Sequence, residues 1–154
     1  MTLTIRPAPV VSTLLVTAPP ESAFRTFTEG MGRWWPKSHS IGKSPIAAVV
    51  MEPRVGGSWR EIGEDGTACD WGRVAVWEPP GRLVLIWQIA SDWTFDTTLE
   101  TEVEVTFVAE PGGTRVTLEH RKLEAYGGRA AEMAGMFTSG WQTILGAFAL
   151  AAPS

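Results

Sequence analysis

Three polar side chains fall on strand faces that otherwise read as apolar, and chemistry would be expected there. His120 closes the alternating run Val116, Leu118, His120, opposite Arg115, Thr117, Glu119 and Arg121, so its parity turns it inward. An inward imidazole could serve as general acid or base, or orient a polar ligand group; bonded to a backbone group it would be structural only. Glu61 shares the parity of Trp59 and offers a carboxylate to the same interior, with the same structural alternative. Arg73 shares its parity with Trp71 and Trp77. Its guanidinium could stack on indole or take a ligand carboxylate bidentately, or else run out to solvent along the sheet edge. No residue earns a catalytic role on this basis.

Other chemistries lack their residues. His39 and His120 lie far apart without the short spacings of a zinc site, so no metal and no cofactor is expected. Cys69 has no histidine beside it in sequence, and its strand position suits a small buried hydrophobe better than a nucleophile. Gly30-Met31-Gly32 and Gly56-Gly57 lack the downstream glycines of a nucleotide-binding loop, and Ser139-Gly140 is no part of a Gly-x-Ser-x-Gly elbow.

The elements that must position these groups are legible from periodicity. The stretch Trp71 to Ile89 (WGRVAVWEPPGRLVLIWQI) reads as a hairpin turning at Glu78-Pro79-Pro80-Gly81-Arg82. With Trp77 opposite Leu83, Ala75 faces Leu85, Arg73 faces Trp87 and Trp71 faces Ile89. One face then carries three tryptophans with Arg73 among them. Upstream, Val10–Thr17 reads as a strand and Pro20–Thr28 as a short helix with Pro20 in its first turn. Met31–Trp35 gives one further helical turn. Pro36–Pro45 (PKSHSIGKSP) is a polar loop, either a flap over a pocket mouth or an ordinary surface connection.

Strands come next at Ala47–Glu52, Ser58–Ile62 and Ala68–Glu78, and beyond the hairpin lies a loop, Ser91–Thr98, with two exposed aromatics. Glu100–Val108 and Thr114–Arg121 alternate cleanly, and their outer glutamates and arginines are placed to pair. Arg129 to about Leu150 has the longest helical pattern, with Met133, Met136, Phe137, Trp141, Ile144, Leu145 and Phe148 on one stripe. Gly135, Gly140 and Gly146 interrupt it, which leaves room for close approach, a bend or a cavity. The fold class expected is α+β: a curved antiparallel sheet of about six to seven strands around a long C-terminal helix, with two short helices after strand 1. Residues 1–154 form one domain on this reading.

Composition narrows the partners. The chain has 154 residues, a net charge of −4 and interspersed acids and bases, so no basic stripe is present to bind nucleic acid. No run approaches the ~20 apolar residues of a membrane span, so no membrane insertion is expected. One cysteine and no secretory signal point to a cytoplasmic location. Eight tryptophans against one tyrosine suit either a core of large rings or an apolar pocket.

The pieces APPESAF with GMGRWWP, EPRVGGSW, DWGRVAVWEPPGRLVLIW, GGTRVTLEHR and SGWQTIL, in that order, resemble the START-like superfamily, also called SRPBCC or helix-grip. Within it they look like the branch of homologues of the activator of a heat-shock chaperone ATPase (AHSA-like). The resemblance implies the helix-grip fold and a cavity between sheet and long helix that takes an apolar small molecule. The ligand-binding candidates are then Trp71, Arg73, Trp77, Trp87, His120, Glu61, Trp35, Trp141 and Phe137. The resemblance also implies an alternative, since some relatives are cyclases, dehydratases or hydrolases; His120 with Glu61 or Arg73 would then act on the substrate. Chaperone-ATPase regulation is the lesser alternative, because the co-chaperones of this branch carry a further N-terminal domain. A homodimer through an exposed sheet edge is the remaining one.

Overall fold

Alternation builds the sheet. In the computed structural model, which describes residues 7–152, seven strands pair antiparallel in the order β1-β7-β6-β5-β4-β3-β2. They are β1 (Val10–Val16), β2 (Ile46–Met51), β3 (Ser58–Gly63), β4 (Ala68–Glu78), β5 (Arg82–Trp87), β6 (Thr101–Glu110) and β7 (Gly113–Arg121). Two short helices, α1 (Pro20–Thr28) and α2 (Met31–Trp34), follow β1 as expected. The long helix α3 (Ala130–Ala151) lies across the concave face, packed along β1 and against α2. The sheet curls around this helix as a half-barrel.

The inward residues of β6 and β7 are Thr101, Val103, Val105 and Phe107, and Thr114, Val116, Leu118 and His120, all buried. They meet Phe137, Trp141, Ile144, Leu145 and Phe148 of α3 in one continuous core. On the outer face Arg121 of β7 joins Glu102 and Glu104 of β6, the cross-strand pairing the alternation implied; it also joins Glu119 of its own strand, and Arg115 joins Glu110 at the end of β6. Such half-exposed pairs contribute little each, about 0–1 kcal/mol.

The hairpin departs from simple alternation. Trp77 does sit opposite Leu83, but the register slips at Ala75, so Val74 pairs with Leu85, Arg73 with Ile86 and Gly72 with Trp87. The expected pairs Ala75–Leu85, Arg73–Trp87 and Trp71–Ile89 are therefore wrong. A slip of one residue moves a side chain to the other face, and Arg73 points outward, bonded to Gln88 (3.2 Å) and Glu100 (2.6 Å). A second irregularity lies on the other side of β4, where Trp59 pairs with Gly72 and Arg60 with Asp70. It leaves Trp71 as an extra residue and returns its ring to the interior. Bulges of this kind bend a strand and increase its twist, as a sheet that curls around a helix requires. Before α3 a 3-10 segment (Leu123–Arg129) breaks at Gly127, φ 59°, ψ −130°, a kink that periodicity did not indicate.

Candidate functional site

Beneath α3 lies a cavity of about 470 Å³. Its floor comes from the bulged hairpin and the residues just beyond β5: Trp71, Trp87 and Ile89. Its roof is the middle of α3, with Phe137, Trp141 and Ile144 alongside Gly140. The helical stripe that buries Phe137, Trp141 and Ile144 in the core therefore also roofs the space. A Cβ added at Gly140 would meet nothing within 4 Å, so the glycine leaves part of that space open. Trp35, at the end of α2, stacks obliquely on Trp71, with ring centroids 4.7 Å apart. Trp87 meets Trp141 edge-on at 5.7 Å and Phe137 at 5.6 Å.

The rim has a different character. The loop after α2 brings Ser38, His39, Ser40 and Ile41 to the cavity, α3 adds Met136, Ser139 and Thr143, and the loop after β5 adds Trp93. Trp93 has φ +64°, uncommon for a large side chain. Hydrogen bonds hold that conformation: its amide donates to the Ala90 carbonyl, and Asp92 accepts from the amide and hydroxyl of Thr94.

Each of the four indoles that wall the cavity below its rim has its N–H engaged by the protein. Trp35 Nε1 donates to the His39 carbonyl (2.8 Å), Trp71 to Glu61 Oε1 (2.9 Å), Trp87 to the Tyr126 hydroxyl (3.0 Å) and Trp141 to His120 Nδ1 (3.1 Å). Behind them Trp34 donates to the Thr26 carbonyl and Trp59 to Met31 Sδ. Below the rim the cavity thus meets aromatic carbon and no free indole donor. An apolar molecule loses nothing by entering it, whereas a polar group pushed to the floor would lose its water without replacement.

These bonds also fix the roles of two sequence candidates. His120 is fully buried; because Trp141 donates to Nδ1, the proton sits on Nε2 and is given to Thr101 Oγ1 (2.8 Å), which in turn donates to the Trp87 carbonyl. Its partners are side chains of α3 and β6, not the backbone group expected. Burial lowers its pKa to about 3, so it stays neutral at physiological pH. Glu61 is equally buried and, besides Trp71, accepts from the amides of Ile41 (2.7 Å) and Gly42 (3.2 Å). It fastens the mouth loop to the floor. Burial raises the pKa of its neighbour Cys69, with Glu61, Asp65 and Asp70 adding to the effect. Burial also raises that of Tyr126, whose hydroxyl donates to the Ile89 carbonyl (2.6 Å).

Of the nine sequence candidates, Trp35, Trp71, Trp87, Phe137 and Trp141 line the cavity. His120 and Glu61 stand behind its wall, bonded to the rings that form it. Arg73 faces outward because of the slip at Ala75. Trp77 is inward but lies at the far end of the sheet, edge-on to Phe24 with centroids 5.0 Å apart. His39, Trp93, Ser139 and Thr143 were missed as lining residues. The polar composition of Pro36–Pro45 hinted at His39 and the two exposed aromatics of Ser91–Thr98 at Trp93, while nothing singled out Ser139 or Thr143. Among the described residues no group of three His, Cys, Asp or Glu could hold a metal ion, and no helix is long and apolar enough to cross a membrane.

A half-barrel sheet wrapped on a long C-terminal helix, with an aromatic cavity between them, defines a START-like helix-grip domain. Comparison with known families narrows this: the chain belongs to the family described as Activator of Hsp90 ATPase homolog 1-like protein, which matches residues 17–152. Among solved structures, protein NE0264 from Nitrosomonas europaea superposes with a TM-score of 0.70 at 16% identity, covering 94% of each chain. An anthrahydroquino-gamma-pyrone synthase, Txn09, solved in complex with a ligand abbreviated SUM, is 36% identical, with a TM-score of 0.60 over 97% of this chain and 90% of its own. DynU16, from the dynemicin biosynthetic locus, is 21% identical with a TM-score of 0.64, over 94% of this chain and 46% of its own. No match was found among curated proteins.

Proposed function

We propose that this protein binds an apolar, ring-containing small molecule in the cavity beneath α3, with Trp35, Trp71, Trp87, Phe137 and Trp141 as its walls. The observation that carries the reading is the satisfied state of those walls: a space of about 470 Å³ in which the indoles of Trp35, Trp71, Trp87 and Trp141 all have their donors engaged by the protein. That volume is within the range of small-molecule sites, roughly 300–1,000 Å³. The single free cysteine agrees with a cytoplasmic setting.

Gly140 supplies the test. A Gly140→Phe substitution puts a ring into the cavity from a position where a Cβ meets no neighbour, and it removes a glycine from a helix interior. Equilibrium dialysis against naphthalene, 2-naphthol and 2-naphthoate is expected to give saturable binding to the wild type and at least a tenfold loss in the variant, with unfolding stability retained. No saturable binding of any of the three to folded wild-type protein overturns the reading.

A second reading, catalysis of ring closure or a related reaction in the same cavity, is supported by the 36% identity to a synthase. Of the groups expected for it from the sequence, His120 with Glu61 or Arg73, none is in the lining. An enzyme here would need a different proton-transfer group, and His39 is the lining residue with a side chain able to serve.

A further inference from the structure

The cavity is two-ended, and the ends differ in what they can bond. Inside, the rings present carbon alone, because Glu61, Tyr126, His120 and the His39 carbonyl hold their N–H groups. The rim is lined by Ser38, Ser40, Ser139 and Thr143 together with His39, whose imidazole bonds the Ser38 hydroxyl. We propose that His39 reads a polar, acidic or phenolic group carried at one end of the ligand, so that the site selects molecules with an apolar ring body and one oxygen-bearing end left at the mouth. This rests on the ligand-binding reading above and assigns it a specificity residue.

The geometry around His39 supports that role. Its backbone is fastened twice: its carbonyl accepts from Trp35 Nε1, and its amide donates to the Pro36 carbonyl at 2.9 Å. Two and three residues on, the amides of Ile41 and Gly42 are held by the buried carboxylate of Glu61. The ring itself bonds only at Nδ1, to Ser38 Oγ at 2.9 Å, and Nε2 makes no hydrogen bond among the described residues. With Ser38 fixing one nitrogen, the other is left to meet a ligand. A histidine on a loop fastened to the cavity floor is positioned more narrowly than one on a free loop, which lowers the ordering cost of the contact.

The test compares 2-naphthoate with naphthalene, which share the ring body and differ only at the polar end, in equilibrium dialysis against wild type, His39→Ala and His39→Gln. His39→Ala is expected to weaken 2-naphthoate about tenfold, the worth of one hydrogen bond to a charged group, and to leave naphthalene within about twofold. His39→Gln, which keeps a donor, should recover part of the loss. If both compounds bind wild type and His39→Ala weakens neither or both equally, the role of His39 is overturned while the cavity reading stands. If neither compound binds folded wild type, the role of His39 is overturned, and the cavity reading falls with it when 2-naphthol does not bind either.

Discussion

An indole gives a cavity a large apolar ring and, with it, a donor that has to be answered. Here the answers come from residues whose types and parity suggest a different chemistry. The sequence points His120 and Glu61 at a ligand; in the fold they face the backs of Trp141 and Trp71 instead. Their inward parity was legible because alternation in β3 and β7 is regular. Their partners were not, since those lie on α3, on neighbouring strands and in a loop brought close only by the fold. Glu61 is the more exacting of the two, because all three of its partners are donors. Glu61→Gln keeps one accepting oxygen but turns an NH2 toward an N–H. This should cost about 1–3 kcal/mol in urea unfolding and speed hydrogen exchange at the Ile41 and Gly42 amides. Unchanged exchange at both amides would show that the carboxylate does not hold the loop.

Among the elements, β4 decides the site. Its two irregularities turn Arg73 out and Trp71 in, and the floor of the cavity depends on them. The strand's existence, its turn and the Trp77–Leu83 pair were all readable from period-2 patterning. The slips were not, because an inserted residue leaves the apolar count unchanged. Gly72 was the available signal, since a glycine inside a strand marks a bulge or a close backbone approach. A Cβ at Gly72 would fall 1.7 Å from the Ile86 carbonyl oxygen, an overlap with backbone that no rotamer relieves. Gly72→Ala is therefore expected to destabilise by about 3 kcal/mol or more, or to yield insoluble protein. An unfolding midpoint close to wild type would mean that β4 and β5 can separate there without cost. On α3 the apolar stripe was plain in the sequence, while the openness at Gly140 was one of three alternatives that only packing could separate.

For the molecule as a whole, His120 sets a dependence of stability on pH. Its folded pKa of about 3 lies below the ordinary value near 6.5, so the unfolded chain binds the proton that the folded one refuses. The stability it supports is complete above pH ~6.5 and falls as pH drops from there toward 3, by about 2 kcal/mol between pH 7.5 and pH 5. Urea unfolding across that range, wild type against His120→Gln, isolates the contribution; equal slopes in the two proteins would contradict it. The strand order has a different kind of consequence. β1 and β2, neighbours in the sequence, form opposite edges of the sheet, and β1 pairs only with β7, Val10 opposite His120. On the ribosome the first strand therefore has no partner until residues 113–121 have been made, and the sheet cannot be completed in the order in which it is synthesised. In the interval β1 must stay out of other strand pairings, although its sequence VVSTLLV carries no charge or proline to keep it out.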